Sequence, residues 1–260
     1  MEFILSNSKL HDYQDMCPLE FKAKHIDKNY PAFEPTEPME YGNWFETLVI
    51  GGGINGAFDF DKSPHGEKMK RSVFFDRVKQ QAEIAKDWLK KEGGKVASRQ
   101  EYIRSEITDR DGQVIPIEGT LDIRYEWPGT DRRAVIDLKF TTDTENDFGK
   151  FAWGSPEKMD LSQIIHYGLL IQLEYGGDYP ETKYWIFDSK ADMRKKRLDV
   201  RVSPGALADH IQRLSETYNQ VTLAIAMDDW TPKNTYENCS KCQAKCDFEK
   251  IIPDYHIIEL

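Results

Sequence analysis

Hydrophobic positions recur along this chain with two different periods, and the places where the period changes mark out the elements. Between 67 and 91, Phe74, Val78, Ala85, Trp88 and Leu89 fall at helical spacing and Gly93-Gly94 supplies a stop, so one long amphipathic helix is predicted. Three strand-like runs follow at 96–108, 114–127 and 134–140, with turn signals at Asp111-Gly112 and Pro128-Gly129. A helix is then predicted from about 155 or 156 to about 175, with strands at 183–187 and 197–202 and a helix over 204–227. Ahead of all these lie a helix over about 9–24, a proline-rich connector at 31–38, and a helix opening near Pro38. The order gives an α/β core with helices at both ends and no internal repeats. One domain is expected: a helical region over about 1–95, a core over about 96–203, and a C-terminal helix with a cysteine-bearing tail over about 204–260.

The strand pattern concentrates chemistry at one point. Asp137 and Lys139 are two residues apart on a predicted strand and therefore share a face. Asp122, on the run Ile117 to Tyr125, joins them if the two strands pair. Two carboxylates and an ammonium at one sheet edge can hold a divalent cation and aim a water at a phosphate. Asp-x-Lys also arises by chance, and an exposed ion pair is worth little. Here Ala134-Val135-Ile136 and Leu138 make Asp137 an acid inside an apolar run, where a carboxylate is costly unless paired or bound to a metal. Downstream, Gln163 and Tyr167 are four apart on one helical face, beside the apolar Ile164, Ile165, Leu169 and Ile171. An amide and a phenol so placed can hydrogen-bond a phosphate or a metal-bound water. His166 reads as an ordinary neutral histidine.

One further motif is a decoy. Gly51, Gly53 and Gly56 satisfy Gly-x-Gly-x-x-Gly after the apolar run Leu48-Val49-Ile50. A dinucleotide site needs a helix to open at those glycines. Phe58-Asp59-Phe60-Asp61-Lys62-Ser63-Pro64-His65-Gly66 follows instead, so the glycines are expected to end the preceding helix and form a loop. An oxidoreductase is rejected on that ground.

Taken in order and spacing, Gly119-Thr120-Leu121-Asp122, Asp137-Leu138-Lys139 and Gln163-Ile164-Ile165-His166-Tyr167 resemble the PD-(D/E)XK nucleases of the RecB type. That group includes nuclease domains of helicase–nuclease complexes, CRISPR-associated RecB-like exonucleases and phage exonucleases. Ser6-Asn7-Ser8-Lys9-Leu10 and Cys17-Pro18-Leu19-Glu20-Phe21-Lys22 resemble its N-terminal element. Gly42-Asn43-Trp44-Phe45-Glu46 resembles its Gly-x-x-x-His helix, with Glu46 where the family has a metal-binding histidine. Glutamate is a hard oxygen ligand suited to Mg²⁺ or Mn²⁺.

The resemblance implies a restriction-endonuclease-like core, a central mixed β-sheet flanked by helices. It also implies a metal-dependent DNA nuclease, an exonuclease acting in recombination, repair or phage or CRISPR DNA processing. In that reading Asp122, Asp137, Glu46 and the backbone carbonyl of Leu138 bind Mg²⁺ or Mn²⁺. Lys139 orients or helps deprotonate the attacking water and offsets charge, and Gln163 and Tyr167 position the phosphate or a metal-bound water. The implied partners are DNA, single-stranded or with free ends, and a helicase, recombinase or CRISPR-adaptation protein. The alternative is a catalytically silent subunit that keeps the fold for DNA binding or scaffolding.

Cys239, Cys242 and Cys246 form a Cys-x₂-Cys-x₃-Cys cluster, and Cys17 is the one cysteine left to complete a four-thiolate site. The resembling family uses one N-terminal and three C-terminal cysteines for a [4Fe–4S] cluster, with a longer final spacing. Structural Zn²⁺ is the other expectation. The first residues carry no basic-then-apolar leader pattern, and a cytoplasmic protein is expected. No apolar run approaches the ~20 residues that span a bilayer, so no membrane partner is expected. A net charge of −10 argues against a protein that coats nucleic acid, but a local basic groove would serve a nuclease. Its candidate segments are 22–28, 68–71 and 194–197, the last of which also reads as a hairpin turn.

Overall fold

The computed structural model describes residues 3–31, 34–52 and 56–231. In chain order they form strand β1 (Leu5–Ser6), helices α1 (Asn7–Asp15) and α2 (Pro18–Phe21), a π-helical turn (Lys22–Ile26), and helices α3 (Glu37–Ile50), α4 (Gly66–Lys70) and α5 (Val73–Lys91). Strands β2 (Lys95–Thr108), β3 (Val114–Glu126) and β4 (Arg133–Thr141) follow, then a 3₁₀ turn (Pro156–Lys158), helix α6 (Ser162–Tyr175), strands β5 (Glu181–Asp188) and β6 (Lys195–Val200), and helix α7 (Pro204–Met227). The sheet is mixed and six-stranded, in the order β1-β3-β4-β5-β6 with β2 also on β3. β3 and β4 are antiparallel, β4 and β5 parallel, β5 and β6 antiparallel.

Two compact units are present. The smaller gathers the described residues of Met1–Glu34, Ile107–Pro116 and Ile211–Leu260, and the larger comprises Pro35–Glu106 and Ile117–His210. In the smaller unit Phe21 is fully buried against the rings of Tyr13, His25 and Trp230. The single helix expected over 9–24 is broken there. Pro18 lacks an N–H and forces the residue before it out of the helical region, so Cys17 is extended (φ −62°, ψ 140°) and a new helix starts at Pro18.

In the larger unit, α3 and α5 cover one face of the sheet through Trp44, Phe45, Val78, Ala85 and Leu89, which pack on Ile136, Leu138, Trp185 and Phe187. α6 packs on β4 and β5. Both strands are buried on both faces, which explains their near-continuous apolar sequences. Two expected helix starts are corrected. The helix expected over 67–91 is two helices, because the Ser72 hydroxyl accepts from the Phe74 N–H and caps a fresh start at Val73. The helix expected from 155 or 156 begins at Ser162, whose N–H is taken by Asp160 Oδ1 at 2.9 Å. The 194–197 segment opens β6 instead of turning, and the turn lies at 190–193.

The described residues of the glycine run fit the expected helix stop. Gly51 takes the left-handed conformation (φ 92°) and its N–H closes α3 on the Thr47 carbonyl. Gly53 lies outside the described residues, and no helix runs through 56–65. Among the described residues, no helix is long and apolar enough to cross a membrane.

Candidate active site

The antiparallel ladder of β3 and β4 runs from Glu126↔Arg133 to Ile123↔Ile136 and stops there. Asp122 and Asp137 come next in that register, and at this point the strands part. Asp122 Oδ2 accepts the Leu138 N–H at 2.8 Å, so a side chain replaces the lost ladder bond. The two acids project from the face opposite Ile123, Ile136 and Leu138, which belong to the α3–α5 core. Lys139 shares that face and places its Nζ 2.5 Å from Asp137 Oδ2. Glu46 reaches the same fork from α3, since Asp122, Lys139 and Asp137 all act on its carboxyl.

Too many acids meet too little positive charge here. Asp137 is 1% exposed, and neither of its oxygens receives a hydrogen bond in good geometry. Burial and the charge of Asp122 outweigh Lys139 and raise its pKa to about 7. Burial, then Asp122 and Asp137, push Glu46 to about 8. Asp122 is also raised, by burial. Lys139 moves the other way: against burial, Asp137 and Asp122 hold its ammonium above the usual lysine range. Among the described residues no three His, Cys, Asp or Glu side chains stand ready-made as a ligand shell, and Lys139 supplies the only close counter-charge to Asp137.

Helix α6 closes the fork. Gln163 Nε2 donates to the Tyr167 hydroxyl at 3.0 Å. Burial and the Asp137 charge hold that phenol protonated. Gly119 lets β3 approach α6 this closely, since a Cβ there would lie 2.7 Å from Leu170 and 3.4 Å from Tyr167. His166 stays outside the cluster. It is buried, donates through Nε2 to the Glu118 carbonyl and accepts through Nδ1 from His210, and burial drops its pKa to about 4.

All the acids, the lysine and the amide–phenol pair expected from sequence therefore converge, within the larger unit. Two contributors were missed. Gln100 sits on β2 in a left-handed conformation (φ 49°) and points Nε2 at Asp122 Oδ1, 3.4 Å away. Phe151 lies under the Lys139 ammonium, 5.8 Å from the ring centre. Neither a lone glutamine nor a loop phenylalanine carries a local sequence signal.

Other expectations fare differently. Cys17 is buried, while Cys239, Cys242 and Cys246 lie outside the described residues. The cations of the candidate groove segments are largely spoken for. Lys22 pairs with Asp228, Lys24 with Asp12, Lys68 with Glu37, Lys70 and Arg71 with Glu67, and Arg194 with Asp192. Lys196 donates to the Trp153 carbonyl and Arg197 pairs with Glu92.

A mixed sheet flanked by helices, with two acids and a lysine where a strand pair forks, defines a restriction-endonuclease-like α/β protein. The PD-(D/E)XK nuclease superfamily model matches residues 4–246, and the chain belongs to that superfamily. Among solved structures it is similar to a presumed exonuclease from Eubacterium rectale, with a TM-score of 0.56 and 14% identity over 94% of this chain and 88% of that one, a likeness of fold. SSO0001 aligns at a TM-score of 0.32 and 12% identity over 91% and 94% of the two chains, too weakly to inform the fold. No curated protein matches the chain.

Proposed function

We propose that this chain is a Mg²⁺- or Mn²⁺-dependent deoxyribonuclease that digests DNA from strand ends. Superfamily membership supports hydrolysis of phosphodiester bonds. The observation that carries the metal dependence is the Asp137 carboxylate, which is buried, has Lys139 as its one close counter-charge among the described residues and stands beside two other acids. A hard divalent cation would relieve that excess negative charge.

Asp122, Asp137, Glu46 and the Leu138 carbonyl would hold the ion, which supplies Lewis-acid stabilisation of charge on the attacked phosphate. Lys139, kept protonated by its acidic neighbours, donates to a phosphate oxygen and offsets charge. A cation so held does not take a proton from water, so the charge-offsetting role is preferred over the base. Tyr167, also protonated and oriented by Gln163, donates from the α6 side. Gln100 and the Leu138 N–H fix the orientation of Asp122.

The four-cysteine site, iron–sulfur or zinc, is a separate part of the reading that rests on sequence alone. Iron, sulfide and zinc analysis of protein purified without oxygen tests it. The nuclease reading is tested with single- and double-stranded DNA labelled at either end, with Mn²⁺ and with EDTA. Stepwise, Mn²⁺-dependent shortening that disappears in Asp137→Ala is expected. A folded wild-type protein that leaves every DNA intact, or an Asp137→Ala protein that digests at the wild-type rate, overturns the reading. The first outcome would favour the silent scaffold.

A further inference from the structure

A cavity of about 480 Å³ opens in the larger unit where β4 and β5 end against the starts of α3 and α5. Its walls include the rings of Tyr41, Phe74 and Phe140, with hydroxyls of Thr141, Thr142 and Ser189 along them. The size suits a small planar ligand. Phe140 is stacked on Phe45 (5.2 Å, 29°), and Tyr41 meets Phe74 edge-on (5.8 Å). Arg77 lies over Phe74, its guanidinium carbon 5.5 Å from the ring centre, and donates to the Ser189 carbonyl, fixing that wall. The Tyr41 hydroxyl, though buried, lacks a hydrogen bond in good geometry.

Two chain segments tie this cavity to the catalytic cluster. Phe140 directly follows Lys139 on β4 and stands on the α3–α5 face, the side from which Glu46 reaches the cluster. Gly42 precedes Glu46 by four residues on α3, so both lie on one helix face about 6 Å apart along the axis. A strand whose phosphate lay beside Glu46 would carry its neighbouring nucleotide about one helical turn away, toward Gly42 and the opening. The lining contains no basic side chain, and its one acid, Glu37, is paired with Lys68. A phosphate therefore has no partner inside, whereas a neutral, flat, hydrogen-bonding group finds both ring faces and hydroxyls.

We infer that this cavity is a subsite for one unpaired nucleobase of the substrate strand, next to the phosphate being cleaved. The inference rests on the nuclease reading and sharpens it, because it requires a frayed or single-stranded end. Stacking on aromatic rings tolerates any base, so strand structure is selected instead of sequence.

Gly42 offers a clean test. A Cβ built there meets nothing within 4 Å, and leucine is a better helix former, so Gly42→Leu fills the cavity without disturbing α3. Gly42→Ala, which leaves most of the space open, is the control for fold. Single strands carrying one abasic unit are scanned for cleavage, and strands carrying one 2-aminopurine are scanned for fluorescence on binding in EDTA. For the wild type, one abasic position should raise KM about tenfold at steady kcat. The 2-aminopurine at that position should change its emission on binding. In Gly42→Leu the intact strand should show the raised KM, with both position-specific effects gone. Absence of any sensitive position in a wild-type protein that cleaves, or wild-type behaviour of Gly42→Leu, overturns the subsite alone. A wild-type protein that cleaves nothing overturns the nuclease reading, and the fluorescence scan still decides the cavity.

Discussion

Two lysines at opposite ends of the β4–β5 pair sit among acids with contrary consequences. Lys183, at the start of β5, lies 3.3 Å from Glu92, 3.1 Å from Glu181 and 3.9 Å from Asp199. Arg197 also pairs with Glu92 and Arg132 with Glu181, so three cations answer three acids. Against burial, Arg132 and Lys183 hold the Glu181 carboxyl below its ordinary range. At the far end of β4, among the described residues, Lys139 alone answers Asp122, Asp137 and Glu46, and all three acids are pushed up. One sheet thus holds a balanced ion cluster and an unbalanced one. The balanced cluster is consistent with stability alone. The unbalanced one costs stability as it stands, and such a cost is expected where a site is built to receive charge.

The largest expected effect comes from removing the acid at the centre of the imbalance. Asp137→Ala should lower kcat/KM for Mn²⁺-dependent DNA cleavage by about 10³-fold or more, while the far-ultraviolet spectrum stays native. The next prediction sets the two lysines against each other. Lys139→Met should cut cleavage by about 10²-fold and leave the melting point at pH 6 near wild type, because the acids around it can take up protons. Lys183→Met should do the reverse. It takes one of three cations from a cluster whose Glu92 and Glu181 keep Arg197 and Arg132, costs about 1 kcal/mol of stability, and leaves turnover per folded molecule unchanged. Equal loss of cleavage in both variants would show that the two clusters do not differ in kind.

The comparison also fixes a dependence on pH. Asp137 and Glu46 have pKa values raised from ordinary carboxylate values to about 7 and about 8. Between pH 6.5 and 8 the folded state therefore holds protons that the unfolded chain has lost, and stability falls as pH rises. His166 does not reverse this. Its folded pKa is depressed to about 4, so its contribution is lost as pH falls below about 6.5, outside the window. In EDTA the protein should lose about 1–2 kcal/mol between pH 6.5 and 8. Mn²⁺ should flatten or invert the slope, because it binds the ionised acids. A slope in EDTA that is flat or rising would remove the charge imbalance from the argument.

Much of this contrast was legible in the chain, for reasons that differ from residue to residue. Strand periodicity alone puts Asp137 and Lys139 on one face, and the turn at Pro128-Gly129 sets the register that brings Asp122 opposite. Glu46 needed the family resemblance, because nothing local shows that α3 crosses to the fork. The break at Pro18 follows from the sequence itself, since the pre-proline restriction at Cys17 is a local rule. The cap at Ser72 is weaker, because a serine inside a helical pattern is common. Gln100 was not readable at all, since its reach to Asp122 depends on a left-handed backbone at a position with no glycine. The pairing of Lys68 with Glu37 was equally hidden, because Glu37 lies on another helix, whereas the pairs of Lys70 and Arg71 with Glu67, three and four residues away, follow from spacing.

The smallest effect tests the α6 side of the fork. Tyr167→Phe keeps the ring and removes only the hydroxyl that accepts from Gln163. A neutral hydrogen bond is worth about 1 kcal/mol to stability, so the melting point should move by only a few degrees. If the phenol donates to the phosphate during cleavage, kcat/KM should fall about five- to tenfold, and the larger part should appear in kcat. Gln163→Leu, which frees the phenol to rotate without removing it, should give a smaller loss in the same direction. Unchanged kcat in both variants, together with the shifted melting point, would make this pair a packing feature of α6. Transition-state stabilisation would then fall to the acids, the cation and Lys139.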